Sequence, residues 1–398
     1  MQMDKFSLLE DHYCSIDVIP QNCIATLKAH RDQVWLVQFS NVAGDKLASV
    51  CKDGTLCIWS VQWLNREGLQ SVEVTCSVAI QTKIEIIQSL NWANTTDEFL
   101  VVAGKDRHAV VFSALTGKPL IKLEGHQTAI QSAVFAADDK RIFTIGTDQN
   151  LIIHEVNLKD GTKGAATRIR TKYCVDMALK ESTLVSVNKT QAYCYFFKPA
   201  PPSQQVGKGY EPADNEDSEM EDADYLEGVN EQAQKTTERF SKLSQEEYSD
   251  IASPNVRVID CNDTITSIAL SKDGQFLLAN ISMSKPRIEC YDLSLAQPGV
   301  APKGKYRGHE QRNYILRPAF GGVNERLVLC GSEDSSVCVW HRHSCELIAR
   351  IQGHYQIVNS VTWSSTNALL FASASDDTHV KLWSVQHVEA TIVTQSRQ

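Results

Sequence analysis

The stretch GHYQIVNSVTWSSTNALLFASASDDTHVKLWS, residues 353–384, spells out one complete structural unit. Gly353 and His354 open it, Trp363 falls nine residues after the His, Ser373 sits in a second apolar run, and Asp377 marks a turn. Trp383 ends a third run, 29 residues after the His. The runs are short, rich in β-branched residues and separated by turn residues, which reads as strands. Their polar members predict one buried chain, in which Asp accepts from the His, a Ser or Thr holds the His, and the same hydroxyl takes the Trp N–H. Such a chain is favourable only when every member is satisfied, so its members should occur together.

They recur upstream. Ala29, His30, Ser49, Asp53 and Trp59 repeat the pattern at the same 29-residue spacing, and Gly308, His309, Ser332, Asp334 and Trp340 repeat it at 31. Gly125, His126, Thr144 and Asp148 repeat it with His154 in place of the Trp. More loosely, a turn residue stands six positions before a bulky one seven times. The pairs are Asp53 and Trp59, Asp106 and Phe112, Asp148 and His154, Asn188 and Cys194, Lys285 and Tyr291, Asp334 and Trp340, and Asp377 and Trp383. Successive ends lie 53, 42, 40, 97, 49 and 43 residues apart, and a period near forty with this ending is the signature of a WD40 propeller blade. The expectation is an all-β, seven-bladed WD40 β-propeller in which the His residues are structural braces.

Blades four and five are the degenerate ones. Residues 171–197 and 255–293 keep the strand rhythm without the Gly-His opening or the Asp, and Pro286 stands where a turn Asp would lead into the third strand. Each blade contacts only its neighbours, so good blades can carry weak ones once the ring closes. Closure is legible too. Residues 23–30 (CIATLKAH) match 347–354 (LIARIQGH) but have no blade before them, so they should complete the last blade and remove its open edge. The run Val388 to Val393 is also strand-like and is a competitor for that edge.

The 398 residues are 42% hydrophobic, ample for a ring of roughly 300 residues plus an insertion. The expected division is an extension over 1–20, blades one to four over 21–198, an insertion between blades four and five over 199–254, and blades five to seven over 255–393. Residues 203–250 hold 14 acidic against 4 basic residues, a net of −10, which leaves the rest about neutral, with 35 basic against 34 acidic. So charged and apolar-poor a segment should be disordered or transiently helical, and its removal should leave thermal stability unchanged. It reads either as a solvated loop or as an acidic tail for a basic partner, with Ser218, in EDSEMED, a candidate phosphorylation site. Residues 1–20 show no apolar run, so neither a secretory signal nor a membrane span is expected. Twelve scattered Cys with no Cys-x-x-Cys pair suit buried thiols in a reducing compartment, cytoplasmic or nuclear.

Nothing predicts an enzyme. The chain has no Gly-x-Gly-x-x-Gly, no phosphate-binding Gly-x-x-x-x-Gly-Lys-Ser, no Gly-x-Ser-x-Gly and no His-Glu-x-x-His. His341, His343 and Cys345 alternate, but a fourth ligand is missing and Arg342 intervenes, so a hairpin surface is expected rather than metal. A neutral body with an acidic loop lacks the footprint of a nucleic-acid binder. No cofactor, membrane or small-molecule substrate is expected; proteins are the expected partners. Five residues after each opening His stand Trp35, Gln131, Tyr314 and Asn359, with Arg312 nearby, and together they predict a protein-binding rim around the ring's opening. The competing reading is that Trp35 and Tyr314 merely cap inner strands.

Several segments resemble the WD repeat-containing protein 26 family. They are 30–40 (HRDQVWLVQFS), 171–177 (TKYCVDM), 265–274 (ITSIALSKDG), 320–325 (FGGVNE) and above all 330–341 (CGSEDSSVCVWH), within a likeness running from about Cys23 to Ser384. The resemblance implies a non-enzymatic scaffold or substrate-receptor subunit of the CTLH ubiquitin ligase, also called GID. Family members usually place helical LisH and CTLH modules before the propeller, and only about twenty residues precede the first strand here. The alternative is a general scaffold for signalling or chromatin complexes. Receptors of cullin-four ligases usually end blades in Trp-Asp-x-Arg, unlike Trp59-Ser, Trp340-His and Trp383-Ser.

Overall fold

A computed structural model describes residues 19–66, 69–171, 174–196, 255–282, 285–386 and 388–394. These residues form seven antiparallel sheets, one of them extended by a parallel fifth strand. The innermost strands are Val34–Phe39, Ile87–Trp92, Ile130–Phe135, Asp176–Lys180, Ile265–Leu270, Ala319–Gly321 and Val358–Trp363. Each packs on the inner strand of the next blade, and the first also meets the seventh, so the sheets close into a ring. Between blades lie apolar layers: Leu36, Ile58 and Leu56 of blade one pack with Trp92, Leu100 and Phe112 of blade two in one such layer. The expected seven-bladed propeller is what forms.

Closure follows the sequence. Asn22–Leu27 pairs antiparallel with Val380–Ser384 and becomes the outer strand of blade seven. The terminal strand Glu389–Thr394 does not compete for that edge. It runs parallel to Leu69–Gln81 and adds a fifth strand to blade one, with Val388 and Ala390 packed on the core shared with blade seven. The reason is a long hairpin: Thr55–Arg66 and Leu69–Gln81 overrun the usual blade length, and their extra residues offer a free edge.

Blade four refines the placement of the acidic segment. Its third strand, Gln191–Phe196, pairs with Asn255–Asp260, and Phe196 faces Asn255 across the ladder. Asn255–Asp260 is therefore the outer strand of blade four rather than part of blade five. The segment enters between the last two strands of that sheet, which in repeat counting, where each repeat starts with the preceding blade's outer strand, is the junction of repeats four and five. Ser218 lies outside the described residues.

The polar braces form completely in two blades. In blade seven the His354 Nδ1–H donates to Asp377 Oδ2 (2.8 Å), Ser373 Oγ lies 2.7 Å from His354 Nε2, and Trp383 Nε1 donates to the same hydroxyl at 2.8 Å. Blade three repeats this through His126, Asp148 and Thr144, and His154 Nε2 meets Thr144 Oγ1 at 3.0 Å where an indole would stand. For the relay to run in one direction, His154 must carry its proton on Nε2, so it serves as a small copy of the Trp.

Blades one and six depart from the expectation. His30 Nε2 and Trp59 Nε1 both reach Ser49 Oγ, at 2.7 and 3.0 Å, but Asp53 is taken by the Cys51 thiol and the Thr55 N–H, each at 2.8 Å. Among the described residues, buried His30 Nδ1 has no hydrogen-bond partner. In blade six the brace is absent: Arg350 captures Asp334, Trp340 Nε1 donates instead to Arg307 O (2.8 Å), and Ser332 Oγ accepts from Glu310 N. The His309 ring is held edge-on against Trp340, 5.7 Å between centroids, with Gln311 as its polar neighbour. Asp106 of blade two has no His and caps the Glu85 N–H at 2.7 Å. Blade five replaces the relay with ions, for buried Glu289 takes Arg287 Nε (2.9 Å) and the Tyr291 hydroxyl (2.5 Å) while Arg287 also pairs with Asp263.

Candidate functional site

The blade-opening loops and the turns after second strands share one face of the ring, and the rim residues start there. Trp35 begins its inner strand at a bulge and is half-buried against the core between blades one and two. Tyr314 is 44% exposed on a loop pinned by Glu333, whose carboxylate receives the N–H groups of Arg312, Asn313 and Tyr314. Arg312 points out to solvent beside Glu310 (3.6 Å), and Gln131 is half-buried. Asn359 leaves the rim. It is buried, and its amide donates to Val34 O (3.0 Å) and Asp376 Oδ1 (2.7 Å), which clamps blade seven to blade one.

Three further residues belong to this face. Tyr355 is 84% exposed, Ile315 is 53%, and Ile86 is 37%. Tyr314 and Ile315, Tyr355, Trp35 and Ile86 come from blades six, seven, one and two, so they trace an apolar arc over four consecutive blades. Tyr355 follows an opening His directly, a signal available in the sequence. Ile86 carried no such signal: blade two has no His, and Ile86 sits at φ 47°, a strained value for a β-branched residue, in a loop that holds the Lys105 N–H. Backbone strain of this kind gathers where a side chain is held out for contact.

A channel of about 280 Å³ lies along the axis of the ring, lined by the inner strands. Arg317 crosses its rim-side end, donating to Asp176 Oδ2 of blade four (3.1 Å) and to Gln88 O of blade two (2.7 Å), while its own N–H bonds Asn359 O of blade seven (2.9 Å). Asp176 also accepts the Ile268 N–H of blade five at 3.1 Å. One charged pair thus ties five blades together.

The far end is held by Lys180 of blade four, whose Nζ reaches Asn41 Oδ1 of blade one (3.4 Å), and by Lys272 of blade five, whose Nζ donates to Ser365 O of blade seven (2.8 Å). Glu325 of blade six accepts the Lys272 N–H at 3.0 Å, and burial pushes its carboxyl above the ordinary range. His341 and His343 lie in an exposed hairpin with ring centroids 5.9 Å apart, and His341 Nδ1 meets Ser344 Oγ (3.0 Å). Among the described residues no group of three His, Cys, Asp or Glu side chains is placed to hold a metal ion, and no helix is long and apolar enough to cross a membrane.

A family model described as WD domain, G-beta repeat matches residues 21–60 and 345–384, the first and last blade units. The fold is a seven-bladed propeller whose first and last repeats match that model. The chain resembles the WD repeat-containing protein 26 family along its length: a WD repeat-containing protein 26 homolog of Arabidopsis thaliana is 26% identical over 96% of this chain and 54% of that protein. The homolog of the same name from Drosophila melanogaster is 25% identical over 99% of this chain and 52% of its own length. GID complex subunit 7 of Schizosaccharomyces pombe is 34% identical over 36% of this chain and 29% of that subunit. The chain spans about half the length of the two WD repeat-containing protein 26 homologs.

Proposed function

We propose that this propeller is a protein-interaction module, without catalytic activity of its own, that serves as an adaptor or substrate-receptor subunit of a GID-type E3 ubiquitin ligase in the cytoplasm or nucleus. The observation that carries the interaction reading is the apolar arc of Trp35, Ile86, Tyr314, Ile315 and Tyr355, displayed by strained or pinned loops on a rigid ring. Aromatic and aliphatic side chains displayed along one face are the composition of an interface hot spot, and monomeric surfaces seldom leave such groups bare. The ligase link rests on the relatives: GID complex subunit 7 of Schizosaccharomyces pombe is among them. Arg312 and Gln131 flank the arc and supply polar specificity.

The test is affinity purification of the full chain from its native cell. Ring-domain ligase subunits should co-purify with it. Tyr314→Ala combined with Tyr355→Ala, both on exposed side chains, should reduce recovery of the rim-bound partner at least tenfold while circular dichroism and melting temperature stay near wild type. Retention of every partner by that folded double variant refutes the rim. Consistent absence of ligase subunits refutes the adaptor role.

A further inference from the structure

The two ends of the central channel are built differently. At the rim side the cation is matched: Arg317 lies 3.1 Å from the Asp176 carboxylate. At the far side two ammonium groups, Lys180 and Lys272, line the same channel, and neither forms an ion pair with a carboxylate among the described residues. Lys180 has three N–H donors and, among the described residues, one hydrogen-bond partner, Asn41 Oδ1 at the long distance of 3.4 Å. Lys272 spends one donor on Ser365 O. The two ammonium groups act on one another; Glu325 is the largest opposing charge on Lys180 and Glu181 a smaller one, and of these only Glu325 lines the channel, so the lining at this end holds two cations against one carboxylate. Lys272 is exposed to solvent, so the cost of an unmatched charge falls on the partly buried Lys180 unless something supplies a counter-charge.

Between the two ends the wall carries the polar residues Gln38, Gln88 and Asn91 among apolar ones. Asp176 and Lys180 are the first and last residues of one inner strand, so the ends lie about 13 Å apart at the usual rise per residue. That depth and a volume of about 280 Å³ suit a ligand smaller than a drug-sized molecule.

We propose that the far mouth of the channel is a binding site for a small oxyanion, a phosphate or a carboxylate, held between Lys180 and Lys272 with Asn41 and Ser365 beside it. The anion completes the donor sets of both ammonium groups, and it bridges blades four and five to blades one and seven across the ring's axis. Burial lowers the Lys180 ammonium, an effect that a bound anion reverses by favouring its charged form.

The test uses the full chain and three probes at matched ionic strength: inorganic phosphate, acetate and sodium chloride. A ligand that binds only the folded state raises the melting temperature as its concentration exceeds Kd, so phosphate, acetate or both should raise it by roughly a few degrees beyond the chloride control. A rise with phosphate alone assigns a phosphate-bearing ligand, and a rise with acetate assigns a carboxylate. Lys180→Met keeps the apolar stem and removes the charge, and should abolish the rise. The exposed Lys189→Met on the opposite face should leave it intact. If Lys180→Met does not fold, Lys272→Met is read in its place. No rise beyond chloride, or an equal rise in the Lys→Met variant that folds, overturns the site.

Discussion

His309 and His354 hold the same place in their blades and differ in everything around them. His354 spends both nitrogens, on Asp377 and Ser373, whereas His309 keeps its ring against Trp340. Replacing His354 by Phe should cost about 2–4 kcal/mol in urea unfolding, because a buried carboxylate and hydroxyl lose their partner. His309→Phe keeps the edge-on ring contact and should lie within about 1 kcal/mol of wild type. Acid should expose the same buried imidazoles. Burial holds His30, His154 and His309 at about 4, below the usual 6.5. As pH falls, the unfolded chain binds protons at these sites before the folded one does. Their stability is therefore complete above about 6.5 and is lost on the way down to 4, by about 3 kcal/mol for each ring at the lower limit. Asp377 acts later. Burial works upward on it, but hydrogen bonds from His354 and the neighbouring backbone outweigh that and hold it at about 2, so its contribution fades only as pH drops from 3.8 toward 2. Melting temperature against pH should be level from 7 to 8 and fall steadily below 6.5, and His309→Phe should flatten part of that fall. A profile level down to pH 4.5 contradicts the burial of these rings.

Two edge strands frame the seam between blades seven and one. Asn22–Leu27 supplies a whole outer strand and buries Leu27, Ala25 and Ile24 in the shared core, while Glu389–Thr394 adds a fifth strand and only partly buries Val388 and Ala390. Shortening the chain after Ser384 should lower the melting temperature by roughly a few degrees. Leu27→Asp should be far worse, with loss of cooperative unfolding in calorimetry, since it puts an unpaired charge into the layer that closes the ring. The sequence made the first of these strands legible because residues 23–30 copy the lead-in of a full blade, down to the His. It did not place the second, because a parallel partner is chosen by whichever edge is free, and the free edge arises from the unusual length of Thr55–Arg66 and Leu69–Gln81. The blade endings Trp59, Phe112, His154, Cys194, Tyr291, Trp340 and Trp383 were readable for the opposite reason: each is fixed by a local turn and strand that repeat. The fate of the blade-six brace was not, since Arg350 is drawn to Asp334 from a strand whose pattern shows only alternation.

At the scale of the ring, the axis is stapled by contacts between residues far apart in sequence. Arg317 reaches Asp176 and Gln88 across separations of 141 and 229 residues, and neither belongs to a motif. Such pairs exist only after closure, which is why they had no signature. Arg317→Met should cost about 1–3 kcal/mol, and in a double-mutant cycle with Asp176→Asn the two changes should be non-additive by about 1 kcal/mol or more. Additive effects would mean the staple is decorative. Blade four carries a different kind of freedom. Phe196 and Asn255 face each other across one ladder rung, so whatever joins them departs and returns within about 5 Å. Loop-closure entropy grows only by about 0.6 kcal/mol for each doubling of length, so the sheet is nearly indifferent to how much polypeptide is spliced between those two positions. A fluorescent reporter whose own termini lie side by side could be grafted there, giving a tagged protein whose binding face, on the opposite side of the disc, stays unobstructed.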